Sequence, residues 1–350
     1  MPMADAARKT SHRPELVDAS GWRRAGRRAV RPVGKVIIQI PCYNEAGTIG
    51  ATLAALPRTL EGVGTVEWMI VDDGSDDDTV QIALAAGVDH VVSHSHNRGL
   101  ARAFESGLEA ALAAGADVVV NTDADNQYCA EDIPKLIAPI VEQGADLVVG
   151  TRPIEDIAHF SPLKKRLQRL GSWFVRKLSG TDVPDAPSGF RAMSRDAAQR
   201  LHVFGDYTYT LETIIQAGRN GMRIRCVDVR VNGYLRPSRL MRGMPSYIAR
   251  STVTAVRMFI TYRPFRFFAV LGSAVFGLGF VLGLRFLILY ATGDGDGHVQ
   301  SLILMAVLLM VGAQIVIVGI VTDLIAVNRK LLQKVDWRLR TLQEDRPARP

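Results

Sequence analysis

Residues 122–128, TDADNQY, put carboxylates at Asp123 and Asp125 and an amide at Gln127 directly behind the apolar run ADVVV, 116–120. In an extended chain, side chains at i, i+2 and i+4 point the same way, so these three oxygen-bearing groups could close on one hard divalent cation. A plainer role also exists, since Asp and Asn commonly cap turns and helices. The surrounding elements have to decide between a cap and a cation site.

The same sequence of an apolar run followed by a polar knot recurs along the chain. KVIIQIP (35–41) leads into PCYNE, VEWMIVDD (66–73) into GSDDDT, DHVVSH (89–94) into HNRGLARA and ADVVVNTD (116–123) into the acidic cluster, while ADLVVGT (145–151) completes the set. Continuous rather than alternating hydrophobicity predicts strands covered on both faces. The intervening segments EAGTIGATLAALPRTL, DDTVQIALAAG, GLARAFESGLEAALAAG and AEDIPKLIAPIVEQG have helical spacing, with Gly87, Gly115 and Gly144 placed as C-terminal stops. The order predicts an α/β fold around a mostly parallel sheet, in which ligands bind beyond the carboxyl ends of the strands. Four polar strand ends on one edge exceed what capping alone requires.

The chain has 350 residues, 48% of them hydrophobic, and 42 Lys+Arg against 35 Asp+Glu, a net charge of +7. That suits a membrane surface, a phosphorylated ligand or nucleic acid, so the location of the basic residues matters. Cys42, Cys129 and Cys226 are odd in number and widely spaced, which argues against a disulfide framework or zinc site. Residues 1–32 are basic and lack an apolar core segment, so no secretory signal is expected there. Residues 267–290 and 299–327 each contain one charge, Arg285 and Asp323, and each exceeds the ~20 residues that cross ~30 Å of hydrocarbon. Arg257, Arg263 and Arg266 precede the first and Arg329, Lys330 and Lys334 follow the second, while the link ATGDGDGH has no Lys or Arg. The positive-inside rule therefore puts both flanks in the cytoplasm.

PCYNEAGTI, MIVDDGSDDDT, NRGLARA, TDADNQY, VVGTR and SGFRAMSRD, taken in that order, resemble the dolichyl-phosphate mannose synthases and bacterial polyprenyl-phosphate glycosyltransferases of glycosyltransferase family 2. The resemblance implies a GT-A catalytic domain over 34–235, preceded by a basic disordered arm at 1–33. It is followed by an interfacial amphipathic segment at 236–265, a two-helix transmembrane anchor at 266–328 and a cytoplasmic basic tail at 329–350. It implies an inverting transfer of sugar from a UDP- or GDP-linked nucleotide sugar to a polyprenyl phosphate, with Mg2+ or Mn2+, at the cytoplasmic face of the cell membrane. Homo-oligomerisation is compatible with it. Nucleic acid is not expected, because the basic residues gather at the predicted membrane face.

Under the same resemblance, Asp125 and Gln127 are the nearest metal ligands and Asp123 bridges metal and nucleotide. Pro41, Tyr43 and Glu45 correspond to base and ribose contacts, Asp72 and Asp73 offer acceptors to a base N–H, and Arg98 either pairs with the diphosphate or begins a solvated helix. Ser238 and Arg239 match a step that closes over the donor. An acceptor phosphate calls for cations, and Arg152, Lys164, Lys165, Ser188 and Arg191 are the candidates. Lys164 and Gln168 stand where related enzymes often carry Arg and Ser, and 163–169 equally reads as an amphipathic helix on anionic lipid. Asp185, before SGFR, is the first choice for orienting sugar hydroxyls, ahead of Asp182 and Glu212. Cys42 is expected to pack rather than react, and His90, His94 and His96 to be structural. A processive polysaccharide synthase is disfavoured by the lack of QxxRW and of further spans, and a non-catalytic scaffold by the intact acidic cluster.

Overall fold

Valine and isoleucine dominate the two longest strands, β1 (Val33–Cys42) and β2 (Val63–Asp72), which pair in parallel with Cys42 beside Asp72. The structure is a computed structural model that describes residues 33–153, 162–203, 209–233, 256–257, 259–293 and 299–344. The basic arm, residues 154–161 and most of the interfacial segment, including Arg236, Ser238, Arg239, Arg242 and Arg250, lie outside the described residues, as do the side chains of Lys164, Lys165, Arg166 and Gln168.

The sheet adds β3 (His90–Ser93), β4 (Val118–Asn121), β5 (Leu147–Thr151), β6 (Arg191–Ser194) and β7 (Ile224–Asp228), in the order β3-β2-β1-β4-β6-β5-β7. β6 runs antiparallel between β4 and β5, while β7 pairs in parallel with β5. The five strands expected from the apolar runs are present. β6 and β7 are additions: RAMS and IRCVD are short and interrupted by Arg, Ser and Asp, so hydrophobic continuity does not mark them.

The helices of the catalytic domain are α1 (Ile49–Ala55), α2 (Thr79–Ala85), α3 (Leu100–Ala113), α4 (Ile133–Gln143), α5 (Pro162–Ser179), α6 (Arg195–Arg200) and α7 (Tyr209–Arg219). Strand alternation divides their packing into two cores. Ile37 and Val119 face Phe104, Leu108, Leu178 and Tyr209, whereas Val36, Ile38, Ile40, Val118 and Val120 face Ile49, Leu53, Ile133 and Leu136. Both faces of the sheet are therefore dry, as the continuous apolar runs require.

One polar line crosses this core. Gln39 Nε2 donates to Asn121 Oδ1 at 2.9 Å, and Asn121 Nδ2 donates to Gly189 O at 2.9 Å and to Tyr209 Oη at 2.8 Å. α3 approaches closely enough to cover it because position 107 is glycine: a Cβ there would stand 2.6 Å from Gln39 Oε1 and 2.8 Å from Val71 Cγ2.

Two apolar helices end the described chain, α8 (Pro264–Ala291, 28 residues) and α9 (Val299–Glu344, 46 residues). Candidate spans cover all of α8 and Val299–Arg329 of α9; an 18-residue stretch of each reaches a mean hydropathy of 2.2 and 2.7, and only 11% of that stretch is buried inside the protein. Core helices would be covered; these leave apolar surface that hydrocarbon can cover. They pack closely on each other through glycine, since a Cβ at Gly312 would lie 2.6 Å from the Phe276 backbone nitrogen.

The expected tail at 329–350 is, through residue 344, an unbroken continuation of α9. Arg329 Nη2 donates to Thr261 O at 3.1 Å with its guanidinium 5.0 Å from the Tyr262 ring, and the Arg200 guanidinium of α6 lies 4.5 Å from the Trp337 ring. The extension is thus a strut against the catalytic domain.

Gly107→Ala is expected to lower stability by about 1–3 kcal/mol, because neither the Gln39 amide held by Asn121 nor the buried Val71 side chain can retreat freely. Chemical denaturation of the detergent-solubilised chain measures it; an unchanged midpoint would show that the helix-to-sheet contact can relax.

Candidate active site

The carboxyl ends of β1, β2 and β3 are bound to each other before any ligand arrives. Asn44, at φ +53, donates its backbone N–H to Ser75 Oγ at 2.9 Å and accepts from the Asp76 N–H at 2.8 Å through Oδ1, while the Glu45 N–H reaches Thr79 Oγ1 at 2.8 Å. Asp73 is the central acceptor: its carboxylate takes His94 Nδ1 at 2.7 Å, the Arg98 N–H at 2.9 Å and the Gly99 N–H at 2.7 Å. His94 Nε2 in turn meets Ser106 Oγ of α3 at 3.0 Å. Asp73, expected to accept from a nucleotide base, is 3% exposed and here braces the 94–99 loop.

Asp72 accepts from the Ser75 N–H at 3.1 Å and is buried, as is Glu45, which accepts from Thr48 Oγ1 at 2.8 Å. Pro41 is buried within β1; Tyr43 and Arg98 are exposed at the rim. Pro41, Tyr43, Glu45 and Asp72 are therefore brought to one end of the sheet, while Arg239 lies outside the described residues. Two of the histidines serve as structural partners, His94 on Asp73 and His90, whose Nε2 meets Glu67 Oε2 at 2.8 Å, while His96 is exposed. Cys42 is buried, and burial followed by the charges of Asp72 and Glu45 pushes its thiol far above the usual range, consistent with packing rather than nucleophilic attack.

The acidic cluster does not form in the way an extended strand would make it. β4 stops at Asn121 and the chain turns, with Asn126 at φ +55 and the Gln127 N–H donating to Asp125 Oδ1 at 3.1 Å. A turn, rather than strand alternation, brings Asp123 and Asp125 together. Burial, and then the charge of Asp125, push the Asp123 carboxyl up to about 7, with Arg152 and Arg191 opposing the shift. A carboxyl raised by a neighbouring carboxylate, with Gln127 two positions further on, offers the oxygen donor set of a hard divalent cation.

Arg152 and Asp185 form one buried unit beneath this cluster. Arg152 Nε donates to Asp185 Oδ2 at 2.8 Å, Nη2 to Oδ1 at 3.0 Å and the backbone N–H to Oδ2 at 3.2 Å. The Arg152 side chain is 9% exposed and that of Asp185 0%. Burial disfavours the guanidinium charge, but the hydrogen-bonded Asp185 carboxylate holds its pKa well above the usual value. Asp185, expected to orient a sugar hydroxyl, instead orients Arg152. Tyr128 accepts the Gly189 N–H at 2.9 Å, and burial moves its hydroxyl pKa up to about 12, so the phenol stays neutral.

Ser188 and Arg191, expected to hold a phosphate, are fully buried. Arg191 donates Nε to Ser188 O at 2.8 Å, Nη2 to Ala186 O at 2.8 Å and Nη1 to Thr213 Oγ1 at 2.5 Å. No phosphate can approach that guanidinium in this arrangement, and its role is corrected to fastening the SGFR turn onto α7. The turn stands against the cluster: a Cβ at Gly189 would be 2.7 Å from Asp123 Oδ1. Tyr209, stacked on Phe104 with ring centroids 3.8 Å apart, completes the floor. Sequence reasoning gave no role to Asn121, Tyr128, Tyr209 or Ser106 in this framework; polar atoms next to apolar runs were the available signal.

Residues 37–201 match the family described as Glycosyl transferase family 2. The UDP-N-acetylglucosamine–dolichyl-phosphate N-acetylglucosaminyltransferase of Methanococcus voltae is 31% identical over 56% of this chain and 84% of its own. The chain belongs to glycosyltransferase family 2. The polyprenol monophosphomannose synthase of Mycolicibacterium smegmatis is 27% identical over 56% of this chain and 76% of its own. Glucosyl-3-phosphoglycerate synthase of Mycobacterium tuberculosis, solved with Mn2+, UDP and glucosyl-3-phosphoglycerate, shares the fold, with a TM-score of 0.53 at 21% identity over 69% of this chain and 86% of that one. The GT-A expectation is thereby met for this family 2 enzyme.

In this glycosyltransferase, Asp185→Ala is expected to destabilise the fold by about 3–5 kcal/mol, because it strands the buried Arg152 guanidinium. Arg152→Ala should be costly in the same way, and the double variant should cost clearly less than the sum of the two. Denaturation midpoints of the four proteins measure the coupling; additive costs would dissolve the pair as a unit.

Proposed function

We propose that this enzyme transfers a sugar from a UDP- or GDP-linked donor to the phosphate of a polyprenyl phosphate at the cytoplasmic face of the membrane, with inversion at the anomeric carbon. The observation that carries this reading is the union, in one chain, of a paired-carboxylate site at the carboxyl edge of the sheet with an exposed two-helix apolar anchor. Relatives named for dolichyl and polyprenol phosphate acceptors support it. The M. tuberculosis neighbour solved with Mn2+ and UDP supports a divalent cation beside a nucleotide.

Asp123, Asp125 and Gln127 are assigned to hold Mg2+ or Mn2+, which when bound supplies positive charge to the departing nucleoside diphosphate. Pro41, Tyr43, Glu45 and Asp72 form the nucleotide end, with Arg98 on its rim. The Asp73 brace holds the 94–99 loop so that Arg98 is presented without rearrangement. Arg152 uses Nε and Nη2 on Asp185, which leaves Nη1 outside that pair as the donor assigned to the acceptor phosphate. A phosphate oxygen is already ionised and nucleophilic, so Asp185 is not needed as a general base, and its engagement with Arg152 agrees with that. Lys164 and Lys165 remain assigned to the acceptor side.

Incubating the enzyme with polyprenyl phosphate and a panel of labelled nucleotide sugars, then extracting lipid, tests the reaction and identifies the donor. Label should enter the lipid phase with one donor and be abolished by EDTA. Asp125→Asn should retain fold and membrane insertion yet lose at least about a hundredfold in transfer, since metal stabilisation of the leaving group is worth several kcal/mol. Unimpaired transfer without metal would remove the cation from the mechanism.

The orientation is tested separately. A cysteine placed at Asp294 should react with impermeant reagents only from the non-cytoplasmic side, because the link between α8 and α9 carries no Lys or Arg while both outer flanks do. Labelling from the cytoplasmic side alone would invert the topology.

A further inference from the structure

One face of α5 is unexplained by the site. The helix carries Lys164, Lys165, Arg166, Arg169, Arg176 and Lys177 and no acidic residue. Ser172, Val175, Leu178 and Ser179 are buried against the protein, while on the opposite side Arg169 and Lys177 are exposed and Trp173 is 51% exposed. Residues 169, 173 and 177 succeed one another at i, i+4 and i+8, and so form one stripe. The Lys177 ammonium stands 6.0 Å from the Trp173 ring. An indole in the middle of a cationic stripe is costly to leave in water and suits neither a fully apolar nor a fully solvated surface.

The last turn of this helix is tied to the entry of the anchor. Arg263, the residue before α8, donates Nη2 to Lys177 O at 3.2 Å, and Arg219 bridges Leu178 O at 3.1 Å and Tyr262 O at 3.3 Å. Trp173 is one helical turn back from Lys177, about 6 Å along the axis. The stripe therefore begins at the level where α8 would enter hydrocarbon, which is the depth that Trp rings and Lys and Arg side chains favour at a bilayer surface.

We propose that the Arg169–Trp173–Lys177 face of α5 docks on the anionic headgroup layer of the membrane, with the indole at the boundary of the acyl region. This rests on the reading of α8 and α9 as membrane spans. Anionic lipid is the occupant because the stripe has positive charge on both sides of an amphipathic ring and no carboxylate on its helix. Docking would hold α5, and the 163–169 region assigned to the acceptor, against the surface from which a lipid phosphate is presented.

The test uses the full chain in nanodiscs containing phosphatidylglycerol, with lipids brominated at shallow acyl positions as quenchers. The contribution of Trp173 is obtained as wild type minus Trp173→Phe, a surface change. Trp173 emission should be quenched at least about twofold, and the quenching should fall when phosphatidylglycerol is replaced by phosphatidylcholine or in Arg169→Glu/Lys177→Glu. Equal quenching in neutral nanodiscs would overturn the anionic assignment. Phe280→Trp in the Trp173→Phe background reports on the span separately, with deeply brominated lipid. Its quenching without that of Trp173 would overturn the docking and keep the spans; quenching of neither would overturn both. Trp173 shielded from aqueous acrylamide yet unquenched by lipid would place a second protein surface there and overturn the proposal.

Discussion

Two carboxylates held close together in the half-buried turn after β4 repel each other, and the architecture around Asp123 and Asp125 is set against that repulsion. Burial and Asp125 together push the Asp123 carboxyl up to about 7, even though Arg152 and Arg191 pull it down. Neither arginine is adjusted to cancel the excess. Arg152 is held in a bidentate contact with Asp185, and Arg191 spends its donors on Ser188 O, Ala186 O and Thr213 Oγ1. The surroundings therefore supply a fixed field that tempers the acidic pair without neutralising it. Such a pair has the kind of oxygen ligands a divalent cation takes, and it rests on a floor made of β4, the SGFR turn and α7.

That floor explains which residues could be read from the sequence and which could not. The five apolar runs identify their strands because a parallel sheet covered on both sides leaves little room for polar residues. TDADNQY is legible as chemistry because its acidic residues interrupt that rule at a strand end. β6 is not legible: RAMS is short, and its Arg191 looks like a ligand until the fold buries it between Ala186 and Thr213. Asp73 misleads for the same reason. A carboxylate at the sheet edge has one appearance in sequence whether it faces a nucleotide or, as here, gathers His94 and two backbone N–H groups across 21 to 26 positions of chain. Long-range hydrogen bonding decides the difference, and local spacing carries no record of it.

The C-terminal region shows a related limit. Hydropathy finds both candidate spans, because length and the scarcity of charge suffice to identify a segment suited to hydrocarbon. It does not carry α9 past Arg329 to α6, since the residues beyond mix Lys, Arg, Asp and Glu with Leu, Val and Trp and fall short of a span's hydropathy. Trp337 under the Arg200 guanidinium is a contact between two residues far apart in sequence. Cation–π pairs of this kind contribute about 0.5–1 kcal/mol where exposed. Its importance lies in fixing an orientation, because a continuous helix transmits its direction without a hinge.

The two ends of α7 connect the anchor to the floor. Tyr209 at its start receives Asn121 beneath the acidic pair, and Thr213 receives Arg191; Glu212 and Gln216 meet the Tyr262 hydroxyl at 3.2 and 3.3 Å, two residues before α8 begins. Arg329 of α9 lies over the same tyrosine ring. Glu212 and Gln216 follow Tyr209 by three and seven residues, about 5 and 11 Å along one helix, so the height of the floor above the anchor entry is set by one rigid element. A soluble acceptor would place no demand on that height. An acceptor phosphate carried on a lipid does, because its headgroup can leave the bilayer only as far as its chain remains buried, and each CH2 withdrawn costs about 0.8 kcal/mol. A short rigid link between membrane entry and catalytic floor is therefore the geometry that lets a lipid-borne phosphate reach the donor while its polyprenyl chain stays in hydrocarbon.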